Sequence, residues 1–217
     1  MIRYKQFSGC IKLLVLLALS LGMTGCSSPG LRDDIEPLQP TYALPPATSG
    51  LLADLAGTVV AQAEPEHSGF MLLDPSYESL LWRLALIDSA VSSVDIVTYL
   101  WYPDHSGKLL LERAVHAAER GVQVRLVIDD LLTIGQEAFM ADLEAHPNIE
   151  MRLFNPWKKR GIASRAAAMI AQMERLNVRL HNKLLIADGH AAILGGRNIG
   201  DHYFGLGEDF NFHDLDV

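Results

Sequence analysis

The sequence predicts an α/β domain over residues 67–217, with a mostly parallel mixed sheet flanked by helices on both faces. Three observations carry that expectation. Stretches with apolar residues at helical spacing alternate with short runs rich in β-branched and aromatic residues, the pattern of right-handed βαβ crossovers. The helices between those runs are long enough to carry such crossovers and to cover a largely parallel sheet on both faces. Near the C-terminus an Asp-Gly pair separates two apolar arms, a strong hairpin signal.

The elements follow in order. Gly69-Phe70-Met71-Leu72-Leu73, bounded by Ser68 and Asp74-Pro75, predicts an edge strand. Residues 77–90 place Leu80, Leu81, Leu84 and Ile87 on one helical face, and residues 94–102 predict a strand. Ser106 is expected to cap a helix with Leu109, Leu110, Ala114 and Ala117 on one side, ended by Gly121. A strand over 122–128 then closes on Asp129-Asp130, a helix over about 135–145 stops before Pro147, and 149–154 predict the next strand. The acid pair sits where parallel strands ordinarily run into loops, and catalysis is the lesser reading of it. Residues 178–194 predict a hairpin turning at Asp188-Gly189, and a further strand is expected from Phe212. Because the sequence reaches Val217 inside that strand, the expectation is the N-terminal half of a longer protein, with the C-terminal part of the fold missing.

The first quarter does not read as domain. Arg3, Lys5 and Lys12 precede an apolar run over 13–21, too short to span a bilayer as a helix, so residues 1–25 predict a signal peptide. Met23-Thr24-Gly25-Cys26 resembles a lipobox, which implies that Cys26 becomes a lipidated N-terminus. An ordinary secretory signal or an uncleaved anchor is the alternative. Ser27 after the cysteine resembles the pattern sent to the outer membrane, on its periplasmic face. With Cys10 removed and Cys26 acylated, no disulfide framework is expected. Residues 26–66 read as a tether, with Pro29, Pro37, Pro40, Pro45 and Pro46 among small and acidic residues and one possible helix over 51–63.

Charge excludes some functions. The 18 Lys and Arg stand against 26 Asp and Glu, and the leader holds three of the cations and no acid, so the remainder is more acidic still. Broad attraction to nucleic acid is therefore not expected. One basic stretch interrupts the pattern over 156–177, where Lys158, Lys159, Arg160, Arg165 and Arg175 face only Glu174. It reads equally as a solvated helix face or as a site for anionic lipid headgroups.

The chemistry concentrates after residue 180. On a strand, His181 and Lys183 project to one side while Asn182 and Leu184 project to the other. Neither an imidazole nor an ammonium belongs unpaired in a core, whereas a phosphate oxyanion uses both, Lys as anion clamp and His as nucleophile or proton carrier. In Gly195-Gly196-Arg197-Asn198 the glycines are expected to let backbone N–H groups approach an anion, with Asn198 as a further donor. Arg197 and Tyr99 are placed with them on the substrate. His190, His202 and His213 lack metal-ligand spacing, so neither a metal nor another cofactor is expected.

A lone His-x-Lys is a weak signal, but the longer string His181-x-Lys183-x4-Asp188-x6-Gly195-Gly196-x-Asn198 resembles the HKD motif of the phospholipase D superfamily. Gly196 stands where many members have Ser. The strings Asp95-Ile96-Val97-Thr98-Tyr99-Leu100-Trp101, Arg120-Gly121-Val122-Gln123-Val124-Arg125, Arg152-Leu153-Phe154-Asn155-Pro156 and Asn198-Ile199-Gly200-Asp201 are similar to bacterial cardiolipin synthases, most of all the third bacterial type, with Thr98 in place of an expected Tyr. The resemblance implies phosphodiester transfer on phospholipids through a phosphohistidine at His181, with Lys183 and Asn198 neutralising the phosphoryl oxygens. It implies that Asp214, less so Asp216, orients the imidazole, and that Asp188 is secondary and structural at its turn. It also implies a second HKD half, in the parent chain or from a second copy, and a membrane partner reached through Cys26. Two other readings stay open: a homodimeric exported phosphodiesterase or nuclease, and a non-catalytic phospholipid-binding lipoprotein.

Overall fold

The computed structural model describes residues 39–63, 69–131, 133, 135–157, 161 and 177–217. The predicted signal peptide, Cys10, Cys26 and the cations of the basic stretch lie outside them. Five strands form one sheet: β1 (Ser93–Thr98), β2 (Gln123–Asp129), β3 (Ile149–Phe154), β4 (Leu184–Ala187) and β5 (Ala191–Leu194), in the spatial order β3-β2-β1-β4-β5. The β1–β2 and β2–β3 pairs are parallel, and β4 runs antiparallel to both β1 and β5. All strands but β4 therefore point one way, as the sequence predicts for a mostly parallel mixed sheet.

Helix α1 (Leu51–Gln62) precedes the sheet, α2 (Ser76–Ser89) leads into β1, α3 (His105–Glu119) connects β1 to β2, and α4 (Glu137–Glu144) connects β2 to β3. One apolar cluster joins α2, α3 and α4 to the sheet. Leu86, Ile87, Leu110, Ala114, Met140 and Leu143 pack on Val94, Ile96, Val124, Leu126, Ile149, Met151, Leu185 and Ile193. Strand side chains alternate, so the other face presents Asp95, Arg125, Glu150 and Arg152 in ion pairs along the sheet. An extended arm crosses that face. Arg125 donates to the Tyr42 carbonyl at 2.7 Å and Arg152 to the Gln39 carbonyl at 2.8 Å, while Thr41 donates to Glu150 at 3.2 Å.

Several predicted boundaries change, each for a tertiary reason. Residues 69–73 are not a strand: only Leu73 pairs, in a bridge to Asp216, while Phe70, Met71 and Leu72 stand exposed. The strand expected from Phe212 likewise reduces to bridges of Asp216 with Leu73 and Gly195 and a reciprocal pair between Leu194 and Val217. β1 ends at Thr98, because the next amide in the ladder, that of Leu100, goes to Asn198 Oδ1. Asp104, not Ser106, caps α3. Its carboxylate accepts the Gly107 N–H at 3.0 Å, and Ser106 lies inside the first turn.

The hairpin forms with one difference in its loop. Asp188 (φ 54) and Gly189 (φ 69) both take the left-handed conformation of a type I′ turn, closed by His190 N–H on the Ala187 carbonyl at 3.0 Å. The ladder resumes at Ala187↔Ala191, one residue later than a bare two-residue turn. Asp188 does more than favour the turn. Its side chain, in a residue only 1% exposed, accepts the backbone N–H groups of Val91, Ser92 and Ser93 at 2.7–3.1 Å, hooking the hairpin onto the start of β1.

Asp188→Ala leaves those three donors, that of Ser93 buried, without their acceptor, so it is expected to destabilise the domain by about 2 kcal/mol. Urea unfolding checks this, and a midpoint equal to wild type would refute it.

Candidate active site

The segment that carries His181 is not a strand. β4 begins only at Leu184, whose partner Val97 is the last residue of β1 that β4 reaches. Residues 178–183 are held by side chains instead: Asp129 accepts the Leu180 N–H and the Arg179 guanidinium, each at 3.0 Å, and Asn155 donates to the Val178 carbonyl at 2.8 Å.

His181 and Lys183 nevertheless meet on one side, as their spacing predicts. Lys183 Nζ lies 3.1 Å from His181 Nδ1 and donates to the His181 carbonyl at 2.9 Å. The ring of Tyr99, just beyond β1, completes the group. Its centroid is 5.0 Å from the imidazole and 5.5 Å from Lys183 Nζ. His181 is exposed, whereas Lys183 is only 6% exposed. Burial lowers the Lys183 ammonium from its ordinary range, and the nearby Asp214 carboxylate opposes that shift. The arrangement is an accessible imidazole backed by a half-desolvated cation, which suits a ligand bringing its own negative charge.

Asn198 is fixed by one end. Its Oδ1 accepts the Leu100 N–H at 3.1 Å, one residue from Tyr99, and its Nδ2 makes no hydrogen bond among the described residues. That leaves an amide donor for a ligand oxygen.

Gly195, Gly196 and Arg197, expected on the substrate, are placed elsewhere. The Gly195 N–H points to the Lys183 carbonyl at 3.4 Å and the Gly196 N–H donates to the Leu215 carbonyl at 3.0 Å, so neither amide is free for an anion. These glycines permit close approach of the C-terminal segment: a Cβ on Gly195 would strike the Asp216 carboxylate, and one on Gly196 the Asp214 carboxylate. Arg197 is buried and donates to the carbonyls of Leu73 and Asp74, at 2.9 and 2.6 Å, and to Asp216 at 3.3 Å. It is a structural cation, because its guanidinium points away from solvent into the contact with residues 73–74.

The carboxylates divide similarly. No hydrogen bond joins Asp214 to the His181 ring; Asp214 accepts the Leu215 N–H at 2.9 Å and acts on Lys183 through its charge. Asp216 sits between Arg83, at 3.0 Å, and Arg197. Burial alone would raise its carboxyl, but Arg83 beside it and hydrogen bonds from Ser79, Arg83 and the Arg197 amide hold it below the usual range. Asp130 accepts the Trp157 N–H at 2.7 Å and takes the Thr133 hydroxyl. Thr98, 1% exposed, gives its hydroxyl to the Leu100 carbonyl and is not on the surface of the site. His190 binds the Ala47 carbonyl and His202 that of Phe210, and among the described residues no three His, Cys, Asp or Glu side chains cluster as a metal site.

Sequence reasoning missed how the Asn198 loop is pinned to α3. Asp201 accepts the Ser106 N–H at 2.8 Å and the His105 ring at 3.0 Å, and its own N–H donates to Asp104 at 2.7 Å. In the sequence, Asp201 stood out only as part of the Asn198-Ile199-Gly200-Asp201 string.

Comparison with known proteins identifies the family. Residues 84–214, more than half of the chain, match the family described as "Cardiolipin synthase, PLD-like domain". The chain belongs to that family. Cardiolipin synthase C of Escherichia coli is 43% identical over 153 residues, 70% of this chain and 32% of the relative. The major cardiolipin synthase of Bacillus subtilis is 34% identical over 131 residues, 59% of this chain and 25% of its own. This phospholipase D-like chain thus spans about a third or less of the length of those relatives. Among solved structures, NucT from Helicobacter pylori overlays with a TM-score of 0.46 at 18% identity, covering 67% of this chain and 80% of that one.

Asp201 also makes the site loop sensitive to acid. Burial would raise its carboxyl, but the Ser106 amide and hydroxyl and the His105 ring and amide hold it down to about 2, from an ordinary 3.8. A depressed carboxylate stabilises the fold above its unfolded value and loses that contribution as pH falls through its folded one. Asp201→Asn is therefore expected to melt lower than wild type at pH 7. The gap should narrow as pH drops from about 4 to about 2, which thermal melts across that range would record.

Proposed function

We propose that this chain supplies one HKD half of a phosphodiester transfer on phospholipids, with His181 as nucleophile and Lys183 and Asn198 as the groups that meet the phosphoryl oxygens. The observation that carries this is the pairing of an exposed imidazole with a desolvated ammonium 3.1 Å away. The similarity to cardiolipin synthases supports phospholipid as the substrate class.

A neutral imidazole that accepts from Lys183 at Nδ1 keeps its proton on Nε2. A phosphodiester arriving at the site draws Lys183 onto its non-bridging oxygens, and the ring is released to attack. A P–N bond forms as the P–O bond to the leaving alcohol breaks, and the leaving oxygen takes a proton from a general acid supplied by the second HKD half. An acceptor alcohol then attacks phosphorus, gives up its proton to that same group and restores His181. Lys183 and the Asn198 amide stabilise the charge that builds on the oxygens in both steps. In this reading Asp214 favours the charged form of the desolvated ammonium. A lipidated Cys26 holding the domain at the cell envelope belongs to the same proposal, resting on the pattern of residues 1–26.

The test uses vesicles of phosphatidylglycerol and phosphatidylethanolamine, with the chain joined to the second HKD half of its parent protein. Acid-sensitive, base-stable phosphatidyl label is expected on the wild type and absent from His181→Ala. Lys183→Met should retain the fold and lose about 100- to 1000-fold in turnover. Label that survives His181→Ala would sink the assignment of the nucleophile.

A further inference from the structure

The backbone around the nucleophile lacks the ladder that usually fixes a strand residue, yet it is restrained on both sides. Downstream, Lys183 returns to the His181 carbonyl and ring. Upstream, the restraint comes from the C-terminal ends of β2 and β3. Asp129 is 1% exposed, and its carboxylate accepts three donors: the Leu131 N–H within its own turn, the Leu180 N–H and the Arg179 guanidinium, each at 3.0 Å. Arg179 is further confined, its guanidinium carbon 5.7 Å from the Trp157 ring centroid. Asn155 adopts φ 49, the left-handed conformation that Asn tolerates better than most residues, and from there its amide reaches the Val178 carbonyl.

From this geometry we infer that Asp129 is a positioning residue for His181, with Asn155 as its auxiliary. The carboxylate is shared between a main-chain amide one residue before the nucleophile and the side chain two residues before it. Such an anchor fixes the direction in which residue 181 leaves the sheet without touching the imidazole, which stays exposed. A buried carboxylate suits this role because it accepts an amide and a guanidinium together, with charge-assisted strength. An amide side chain of the same shape has one acceptor oxygen and no charge, so it cannot serve both partners.

The inference rests on the reading of His181 as nucleophile, and its test separates the two. Asp129→Asn and Asn155→Ala are compared with wild type, each joined to the second HKD half, by hydrogen–deuterium exchange and by vesicle kinetics. In Asp129→Asn, residues 178–183 are expected to exchange about tenfold faster while β1 and β2 keep their protection. Turnover should fall about ten- to a hundredfold with KM within about twofold, as misplacement of a reacting group predicts. Unchanged protection of 178–183 would overturn the inference, and so would wild-type turnover despite faster exchange. Should Asp129→Asn fail to fold, Asn155→Ala, which removes the amide that donates to the Val178 carbonyl, is judged by the same two readouts. If wild type carries out no phosphatidyl transfer, the reading of function falls, and exchange alone decides whether Asp129 holds the segment.

Discussion

One buried carboxylate, that of Asp216, holds the last residues of the chain to the rest. It lies between two buried guanidiniums, Arg83 on α2 and Arg197 beyond β5, and also takes the Ser79 hydroxyl. Without it two cations would remain in the interior with no counterion, a situation that costs several kcal/mol. Because Asp216 is fixed, Leu73 can bridge to it, Gly195 and Gly196 can lie against residues 214–216, and Asn198 follows from a rigid base. The position of Asn198 thus depends on an ion cluster that includes its chain neighbour Arg197.

The site separates exposure from charge. The imidazole is placed in solvent by a stretch with no ladder, while the ammonium is pulled under the protein surface by the strand that begins one residue later. A desolvated cation interacts more strongly with an arriving anion than a hydrated one. The charge of Asp214 opposes the effect of that burial on Lys183. The aromatic face of Tyr99 borders both groups, giving the cation a weakly polar neighbour that does not compete for it.

What was legible in the sequence was what local pattern determines. The helix and strand alternation, the mixed sheet, the hairpin at Asp188-Gly189 and the meeting of His181 with Lys183 follow from periodicities of a few residues. What was not legible depends on partners far along the chain. Arg197 reads as a ligand-binding cation beside two glycines, and only its contacts with Leu73 and Asp74, more than 120 positions away, make it structural. The glycines look like an anion cradle until residues 214–216 are seen to occupy the space a Cβ would fill. Ser106 and Asp104 both suit a helix start, and the choice falls to Asp104 because Asp201, from another part of the chain, captures the Ser106 amide.

The arm that crosses the open face of the sheet is gripped largely by its backbone. Arg125 and Arg152 hold it by the main-chain oxygens of Tyr42 and Gln39, and His190 takes the Ala47 oxygen at its far end. Carbonyls are the same in every residue, so this grip reads shape and not identity. Apart from Thr41, whose hydroxyl reaches Glu150, the side chains of the arm take little part in that grip, while the two arginines that clasp it are indispensable to it. It behaves as a strap threaded through fixed buckles, and replacing its letters should matter far less than shortening it.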